Sequence, residues 1–172
     1  MLRKVISIIM ILLSIIILFY NHKEIKSNQD NIDQIIENKL ISNYDGYISF
    51  NDKKLLIKKG DYNEILNKNL VLMISNKKVI NNKYGNIILA GHNNKYVFSN
   101  LYKLNINDEI IINDFNNEYK FKVKEKKYIN IKDKYILDNV YNDKILTLIT
   151  CTNDNQTRYV VIGKLNHIIS HN

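Results

Sequence analysis

An apolar segment near the N-terminus, Val5–Tyr20, constrains this chain more than any other feature, because only Ser7 and Ser14 interrupt it. The segment is slightly shorter than the ~20 residues that span a bilayer comfortably. Arg3 and Lys4 lie directly before it, and long basic side chains can reach the membrane surface and make up part of the difference. So uniformly apolar a terminal segment is a poor candidate for the buried helix of a soluble domain. The sequence therefore predicts a transmembrane helix.

A cleaved signal peptide is the alternative interpretation of this segment, and its cleavage requires small residues. The only Ala of the chain is Ala90 and the first Gly is Gly46, so the sequence favours an uncleaved signal anchor. Basic residues closely precede the apolar run, whereas the charges that follow it are mixed in sign. By the positive-inside rule, this arrangement predicts a single-pass protein of the cell membrane with a cytoplasmic N-terminus and an extracellular domain.

Composition and charge exclude several classes of protein. The chain has 172 residues, enough for one domain of ordinary size, and a formal net charge of +8. The basic excess is diffuse and lies outside the membrane, which argues against nucleic-acid binding. A single cysteine, Cys151, excludes an intramolecular disulfide framework and any cysteine-rich metal site. Because Lys, Asn, Ile and Tyr are all abundant while Pro is absent, the rare residues carry more information, above all Cys151 and the arginine Arg158.

The chain is predicted to divide into three parts. Residues 1–20 form the signal anchor, residues 21–45 an extracellular stalk, and residues 46–172 a folded domain. In the stalk, apolar residues at helical spacing over Asp30–Leu40 predict a short amphipathic helix, with Asp30 as a possible N-cap.

The folded domain has the pattern of a β protein. Short β-rich runs alternate with turns rich in Asn and Lys, and the last predicted strand is Tyr159–Lys164. A short helix is expected over Val97–Leu104. Roughly eight strands, few helices and no regular alternation of strand and helix predict a mainly β fold, a closed eight-stranded antiparallel or mixed β-barrel.

Chemically reactive residues stand at the ends of two apolar strands. Asn86–His92 ends in Gly and His, and Thr147–Cys151 ends in the thiol, with Arg158 opening the next strand. A Cys with an upstream His is the minimal equipment for thiol catalysis, in which the thiolate attacks a carbonyl and the imidazole protonates the departing amine. An Arg beside them can donate hydrogen bonds to the oxyanion. Thr150, directly before the thiol, is a candidate substrate contact.

Each of these residues also has an ordinary explanation when it is taken singly. A lone Cys at the end of an apolar strand can be a small buried hydrophobe, His92 a capping or solvated histidine, and Arg158 the partner of Asp154 in a surface ion pair. A free thiol on an external protein nevertheless calls for an explanation. The joint placement of thiol, imidazole and guanidinium therefore favours an active site.

Thr147–Cys151 reads TLITC, which resembles the TLxTC signature of sortases, the membrane-anchored cysteine transpeptidases of Gram-positive bacteria. Gly91 and His92, at the end of an apolar strand, are similar to the His segment of that family, and Arg158 is similar to the Arg that opens its last strand. The likeness runs from about Gly46 to Leu165, and the N-terminal anchor agrees with it.

The resemblance implies an eight-stranded barrel and an activity, the cleavage of an LPxTG-like sorting signal between Thr and Gly. Cys151 would be the nucleophile, His92 the general acid/base, and Arg158 the stabiliser of the oxyanion or of the substrate. The implied partners are surface proteins with a C-terminal sorting signal, and an amine of a cell-wall precursor or a pilin lysine that accepts the acyl group. No cofactor is implied, and no metal site is expected. The short connection over Ile129–Lys144 and the lack of Pro favour a small anchoring sortase of class A or D.

Two other functions stay open on the sequence alone. An L,D-transpeptidase is another cysteine acyl enzyme of the cell wall, but its motif places His immediately before the thiol, where this chain has Ile149 and Thr150. The second is a non-catalytic surface-binding barrel, whose positive charge would suit teichoic acid or anionic lipid. Reactivity of Cys151 toward a thiol reagent would separate this binding module from the enzyme.

Overall fold

The barrel predicted from the sequence is present in the computed structural model, which describes residues 2–38, 40–75, 84–137, 142–154 and 156–170. Within these residues eight strands close on themselves in the order β1-β2-β3-β4-β7-β8-β6-β5. The sheet is mixed, because β2 pairs with β3 and β4 pairs with β7 in parallel, while the other neighbours are antiparallel. The strands are β1 Gly46–Phe50, β2 Lys53–Lys58, β3 Val71–Met73, β4 Gly85–Gly91, β5 Glu109–Asn113, β6 Asn117–Asn130, β7 Lys144–Cys151 and β8 Thr157–Ser170.

The N-terminal region forms one continuous helix, α1, over Leu2–Glu37. The sequence predicts a separate helix with Asp30 as a possible cap, whereas Asp30 lies inside α1. Neither Gly nor Pro interrupts the polar residues that follow the apolar run, so nothing in the backbone breaks the helix there. The polar half also packs on the barrel, because Ile32 is buried and Asp33 accepts a hydrogen bond of 2.6 Å from Lys54 of β2.

α1 has the length and composition of a membrane span. It is the one helix among the described residues that is long and apolar enough to cross a bilayer, and its most apolar stretch is entirely unburied, with a mean hydropathy of 2.3. Large apolar side chains are exposed from Val5 to Tyr20. An exposed apolar surface of this extent is typical of contact with a membrane or another protein, and it makes α1 the candidate anchor.

Short helical elements connect the strands, and two of the predicted elements differ in extent. The helix expected over Val97–Leu104 is limited to a 3₁₀ turn over Ser99–Lys103, in which the amides of Leu101 and Leu104 each bond the carbonyl three residues earlier. Its expected start belongs to a separate turn, because the side-chain oxygen of Asn94 accepts hydrogen bonds from the amides of Tyr96 and Val97. Strand β8 is longer than predicted, because it continues to pair with β6 beyond irregularities in the register. The elements are α2 Tyr62–Asn67 and 3₁₀ turns at Leu40–Asn43, Ser99–Lys103 and Lys134–Leu137.

The strands bury side chains on both of their faces. The main core fills the interior of the barrel and includes the fully buried rings of Phe98 and Phe121. Because successive side chains of a strand point to opposite faces, residues of β4, β6, β7 and β8 that point away from the interior form a second cluster outside the barrel. That cluster includes one residue of the Lys134–Leu137 turn, and its members are Ile88, Ile129, Ile136, Ile149 and Val160.

Candidate active site

His92, Cys151 and Arg158 lie at the same end of the barrel, on or directly after three neighbouring strands. Because β4 and β7 run in parallel, their carboxyl ends meet, and Gly91 lies opposite Thr150. His92 and Cys151 are the next residues along these two strands. Cys151 is in turn the direct partner of Arg158 across the antiparallel pair of β7 and β8. Since paired strands lie about 4.8 Å apart, the register brings the three predicted site residues together.

The same three residues border a groove with a volume of about 220 Å³. Each of them is partly exposed, so a ligand in the groove can reach them. The rest of the lining is mostly apolar, and a largely apolar groove with a few polar groups at one place is the usual form of a ligand site. An extended peptide in this groove could bring a carbonyl to the thiol. The apolar lining includes Leu66, Ile74, Ile129, Ile131, Leu137 and Ile149.

Thr150, the predicted substrate contact, is buried directly beneath the reactive residues. Its hydroxyl donates a hydrogen bond of 2.8 Å to the carbonyl oxygen of Gly91. This bond ties β7 to β4 one residue before Cys151 and His92, so Thr150 helps to fix their separation. A direct contact between Thr150 and substrate stays a prediction, although the residue does line the groove.

Gly91 is required by the way the chain folds back after β4. A Cβ atom at this position would lie 2.6 Å from Cγ1 of Val97 and 2.8 Å from Cδ2 of Phe98, both of which are fully buried. The turn is closed by the amide of Phe98, which donates a hydrogen bond of 2.9 Å to the carbonyl of His92. The Gly-His pair therefore lets a buried loop pack against the strand that presents the imidazole.

The turn between Cys151 and Arg158 is organised around the carboxylate of Asp154. This carboxylate accepts hydrogen bonds from the hydroxyl of Thr152 and from the amides of Gln156 and Thr157. These bonds, that from Thr152 foremost, lower the pKa of Asp154 to about 2, so the carboxylate stays ionised at neutral pH. At the end of the turn, Nη1 of Arg158 donates to the carbonyl of Thr157 at 2.9 Å, which orients the guanidinium.

The structure adds a pair of buried polar residues under the groove that the sequence did not single out as a unit. Asn86 of β4 is fully buried, and its Oδ1 accepts a hydrogen bond of 2.8 Å from the hydroxyl of Thr147. Its Nδ2 donates to the carbonyl of Ile136 at 3.1 Å. Thr147, the first residue of the TLITC segment, therefore connects through Asn86 to a wall of the groove. The sequence does contain a signal for this pair, because Asn86 and Thr147 are polar residues within two otherwise apolar strands.

Replacing Thr147 with Val is expected to lower the free energy of unfolding by roughly 1–3 kcal/mol, because it removes a hydroxyl donor from a buried amide oxygen at nearly constant shape. Urea denaturation of the full-length protein in detergent, followed by circular dichroism, measures this loss. Ser170→Ala is the control, since it removes an exposed hydroxyl that bonds Asn117 at 3.0 Å, and it should cost less than about 0.5 kcal/mol. Equal losses in the two variants would contradict a role for the buried bond.

Comparison with known proteins identifies the family of this chain. A family model described as the sortase domain matches residues 48–166, which is more than half of the chain and includes His92, Cys151 and Arg158. The chain is 35% identical over 86 residues to sortase A of Listeria monocytogenes and 37% identical over 86 residues to sortase A of Bacillus anthracis. Each alignment covers 47% of this chain, but only 38% and 40% of those proteins, so the matched part spans less than half the length of these curated relatives.

Solved structures show the same fold. The crystal structure of Listeria monocytogenes sortase A superposes with a TM-score of 0.67 at 27% identity, covering 76% of this chain and 92% of that one. Clostridium perfringens sortase D5 gives 0.65 at 23% identity, covering 83% and 98%. Streptococcus agalactiae sortase C1 gives 0.67 at 22% identity, covering 85% and 90%. The last two likenesses concern the fold alone, and because three differently named sortases resemble this barrel about equally, its shape does not distinguish between them.

Proposed function

Because the chain belongs to the sortase family, we propose that it is a membrane-anchored cysteine transpeptidase that cleaves an LPxTG-like sorting signal between Thr and Gly. The observation that carries this proposal is the register of three strands, which brings His92, Cys151 and Arg158 to one rim of a largely apolar groove. A largely apolar groove of this kind suits an extended peptide whose apolar residues, the Leu and Pro of such a signal, precede the bond to be cut.

In the first half of the reaction, the thiolate of Cys151 attacks the carbonyl carbon of the Thr residue in the signal. A bond forms between sulfur and carbon, and the carbonyl oxygen becomes an oxyanion that Arg158 stabilises through hydrogen bonds. The bond between Thr and Gly then breaks, and His92 gives its proton to the departing amine. The product is a thioester between Cys151 and the surface protein.

In the second half of the reaction, the acyl group is transferred from the sulfur of Cys151 to an amine. The acceptor nitrogen attacks the thioester carbon, His92 removes a proton from that nitrogen, and the bond to sulfur breaks to regenerate the thiolate. We propose a cell-wall precursor amine as the acceptor, and surface proteins with a C-terminal sorting signal as the acyl donors. The class A or D assignment belongs to the same proposal.

The proposed site of action is the outer side of the cell membrane. Arg3 and Lys4 before the apolar run favour a cytoplasmic N-terminus, which puts the barrel outside. α1 runs without interruption from the apolar segment into the half that packs on the barrel. A continuous helix would hold the groove close to the membrane surface, on the same side as the surface proteins proposed as substrates.

A peptide-library assay tests the proposed reaction. The full-length protein in detergent is incubated with LPxTG-type peptides varied at single positions, together with an oligoglycine amine, and the products are identified by mass spectrometry. We expect cleavage between Thr and Gly and a new product in which the Thr carbonyl is joined to the amine, with no product from scrambled peptides. Absence of both the product and a thioester mass on Cys151 would refute the proposal.

A further inference from the structure

Lys53 of β2 is a charged residue buried at the edge of the barrel. It is only 5% exposed, although lysine is rarely buried unless it has a partner. Its Nζ donates two hydrogen bonds to backbone carbonyls, one of 2.9 Å to Lys95 and one of 2.8 Å to Val97. Both carbonyls belong to the loop over residues 93–97, which follows His92 directly; we call it the His loop.

The ammonium group of Lys53 occupies this place at an electrostatic cost. Burial lowers the pKa of Lys53 to about 8, so it is still mainly charged at neutral pH. Among the described residues no carboxylate forms an ion pair with it. The hydrogen bonds to the two carbonyls therefore offset the cost of burying the ammonium group. Hydrogen bonds from a charged donor are stronger than those between neutral groups. A group held in this way resists displacement of the loop that it bonds.

The His loop is closely connected to the imidazole. The loop follows His92 directly, and the amide of Phe98, the residue after the loop, donates a hydrogen bond to the carbonyl of His92. Both ends of the loop are therefore held at the backbone of His92. Val97 and Phe98 are fully buried, and their side chains approach Gly91 so closely that a Cβ there would clash. A shift of the carbonyl of Val97 would therefore move the backbone that carries His92.

A second attachment acts on the outside of the same loop. The side chain of Lys95 forms an ion pair of 2.7 Å with Glu24 of α1 and a hydrogen bond of 3.1 Å with Asn21, and the hydroxyl of Tyr96 also bonds Glu24. The side chains of Lys95 and Glu24 are 39% and 42% exposed, and ion pairs open to solvent contribute little stability. The buried contacts of Lys53 are accordingly the stronger of the two restraints on the loop.

We propose that Lys53 is a positioning residue, which holds the His loop through two backbone carbonyls and thereby keeps the imidazole of His92 beside the thiol of Cys151. Lys53 lines no part of the groove and touches no reacting atom; it acts through the backbone of residues 95 and 97. This inference rests on the proposed function for its catalytic consequence, but the restraint on the loop is a separate, measurable property.

The test compares Lys53→Met with Lys144→Met in the full-length protein in detergent. Lys144 is a matched control, because it is also a buried lysine, 3% exposed, but it lies at the start of β7, at the opposite end of the strand from Cys151, over the ring of Tyr119 at 4.7 Å. We expect Lys53→Met to lower kcat for peptide cleavage roughly 10- to 100-fold with KM changed less than about threefold, since a small misplacement of a catalytic group has an effect of this size. Lys144→Met should change kcat less than about threefold.

Amide hydrogen exchange, resolved by peptide and mass spectrometry, gives the independent readout. Exchange over residues 92–98 should become faster in Lys53→Met than in the native protein or in Lys144→Met, while the strands of the barrel stay protected. If Lys53→Met does not fold, Lys53→Arg keeps the charge with a different donor geometry, and the loss of kcat and the faster exchange should again appear together.

Three results would overturn the proposal: an unchanged kcat in a folded Lys53 variant, an equal loss in Lys144→Met, or a loss of kcat without faster exchange in the His loop. Failure of the proposed function would look different. In that case the native protein itself would cleave no peptide, and hydrogen exchange alone would decide whether Lys53 restrains the loop.

Discussion

Replacing Cys151 with Ala should abolish cleavage of the peptide identified in the library assay, with a loss of roughly 10⁴-fold or more in kcat, as is found when a nucleophile is removed. The reason is that the sulfur forms the bond to the substrate carbonyl, and this chain has no other cysteine to replace it. The side chain is small and only partly buried at the end of β7, so the barrel should keep its structure. Initial rates by mass spectrometry, with circular dichroism as the check on folding, measure the effect.

The single thiol also provides a matched control on the native protein. A methanethiosulfonate reagent should add one label per chain at Cys151, block cleavage to the same extent as the Ala substitution, and leave the Ala variant unlabelled. Cleavage by the Ala variant above about one per cent of the native rate would remove Cys151 from the mechanism. A native thiol that does not react, in a folded protein that also fails to cleave peptides, would favour the non-catalytic surface-binding barrel.

The barrel could be predicted because its strands have local signals. β4 and β7 are apolar runs with polar residues at their ends, and β6 alternates Tyr119, Phe121 and Val123 with lysines or other polar residues. The length of β8 could not be predicted, because its last residues are held by pairing with β6 rather than by a pattern of their own. The continuity of α1 likewise depends on contacts with the barrel, which the polar segment does not reveal by itself.

The three candidate site residues could be singled out because Cys and Arg are rare in this composition and all three stand at strand ends, and their roles in catalysis stay a prediction. The parallel pairing of β4 with β7 could not, since it joins strands far apart in the chain, yet this pairing is what brings His92 beside Cys151. The residues that support the site, Lys53 and Asn86, could not be identified from the sequence because their residue types are so common in this chain. Lys53 is one of many lysines and Asn86 one of many asparagines, and what distinguishes them is burial together with hydrogen bonds to segments that border the site.

Replacing Arg158 with Lys should lower kcat/KM for peptide cleavage by roughly 10²- to 10³-fold, the range found when one donor to an oxyanion is removed. The substitution keeps the positive charge but loses the planar guanidinium, which can donate from several nitrogens in fixed directions. In this structure Nη1 of Arg158 bonds the carbonyl of Thr157, which orients the group at the rim of the groove. A lysine has a single nitrogen, so it cannot make that bond and also present a second donor in the same plane.

A conservative exchange on the same strand separates this geometric effect from the effect of charge. Lys164→Arg also exchanges one basic residue for the other on β8, at an exposed position where Lys164 pairs with Asp143 at 2.8 Å, and it should leave kcat/KM within about twofold, as is usual for a surface change. Both variants should unfold at the same urea concentration as the native protein. If Arg158→Lys retains full activity, charge alone is sufficient at this position and the guanidinium has no specific part in the reaction. If it loses activity while peptide binding is kept, the missing interaction is one made chiefly in the transition state, because a loss confined to kcat identifies an interaction that the bound substrate does not yet make.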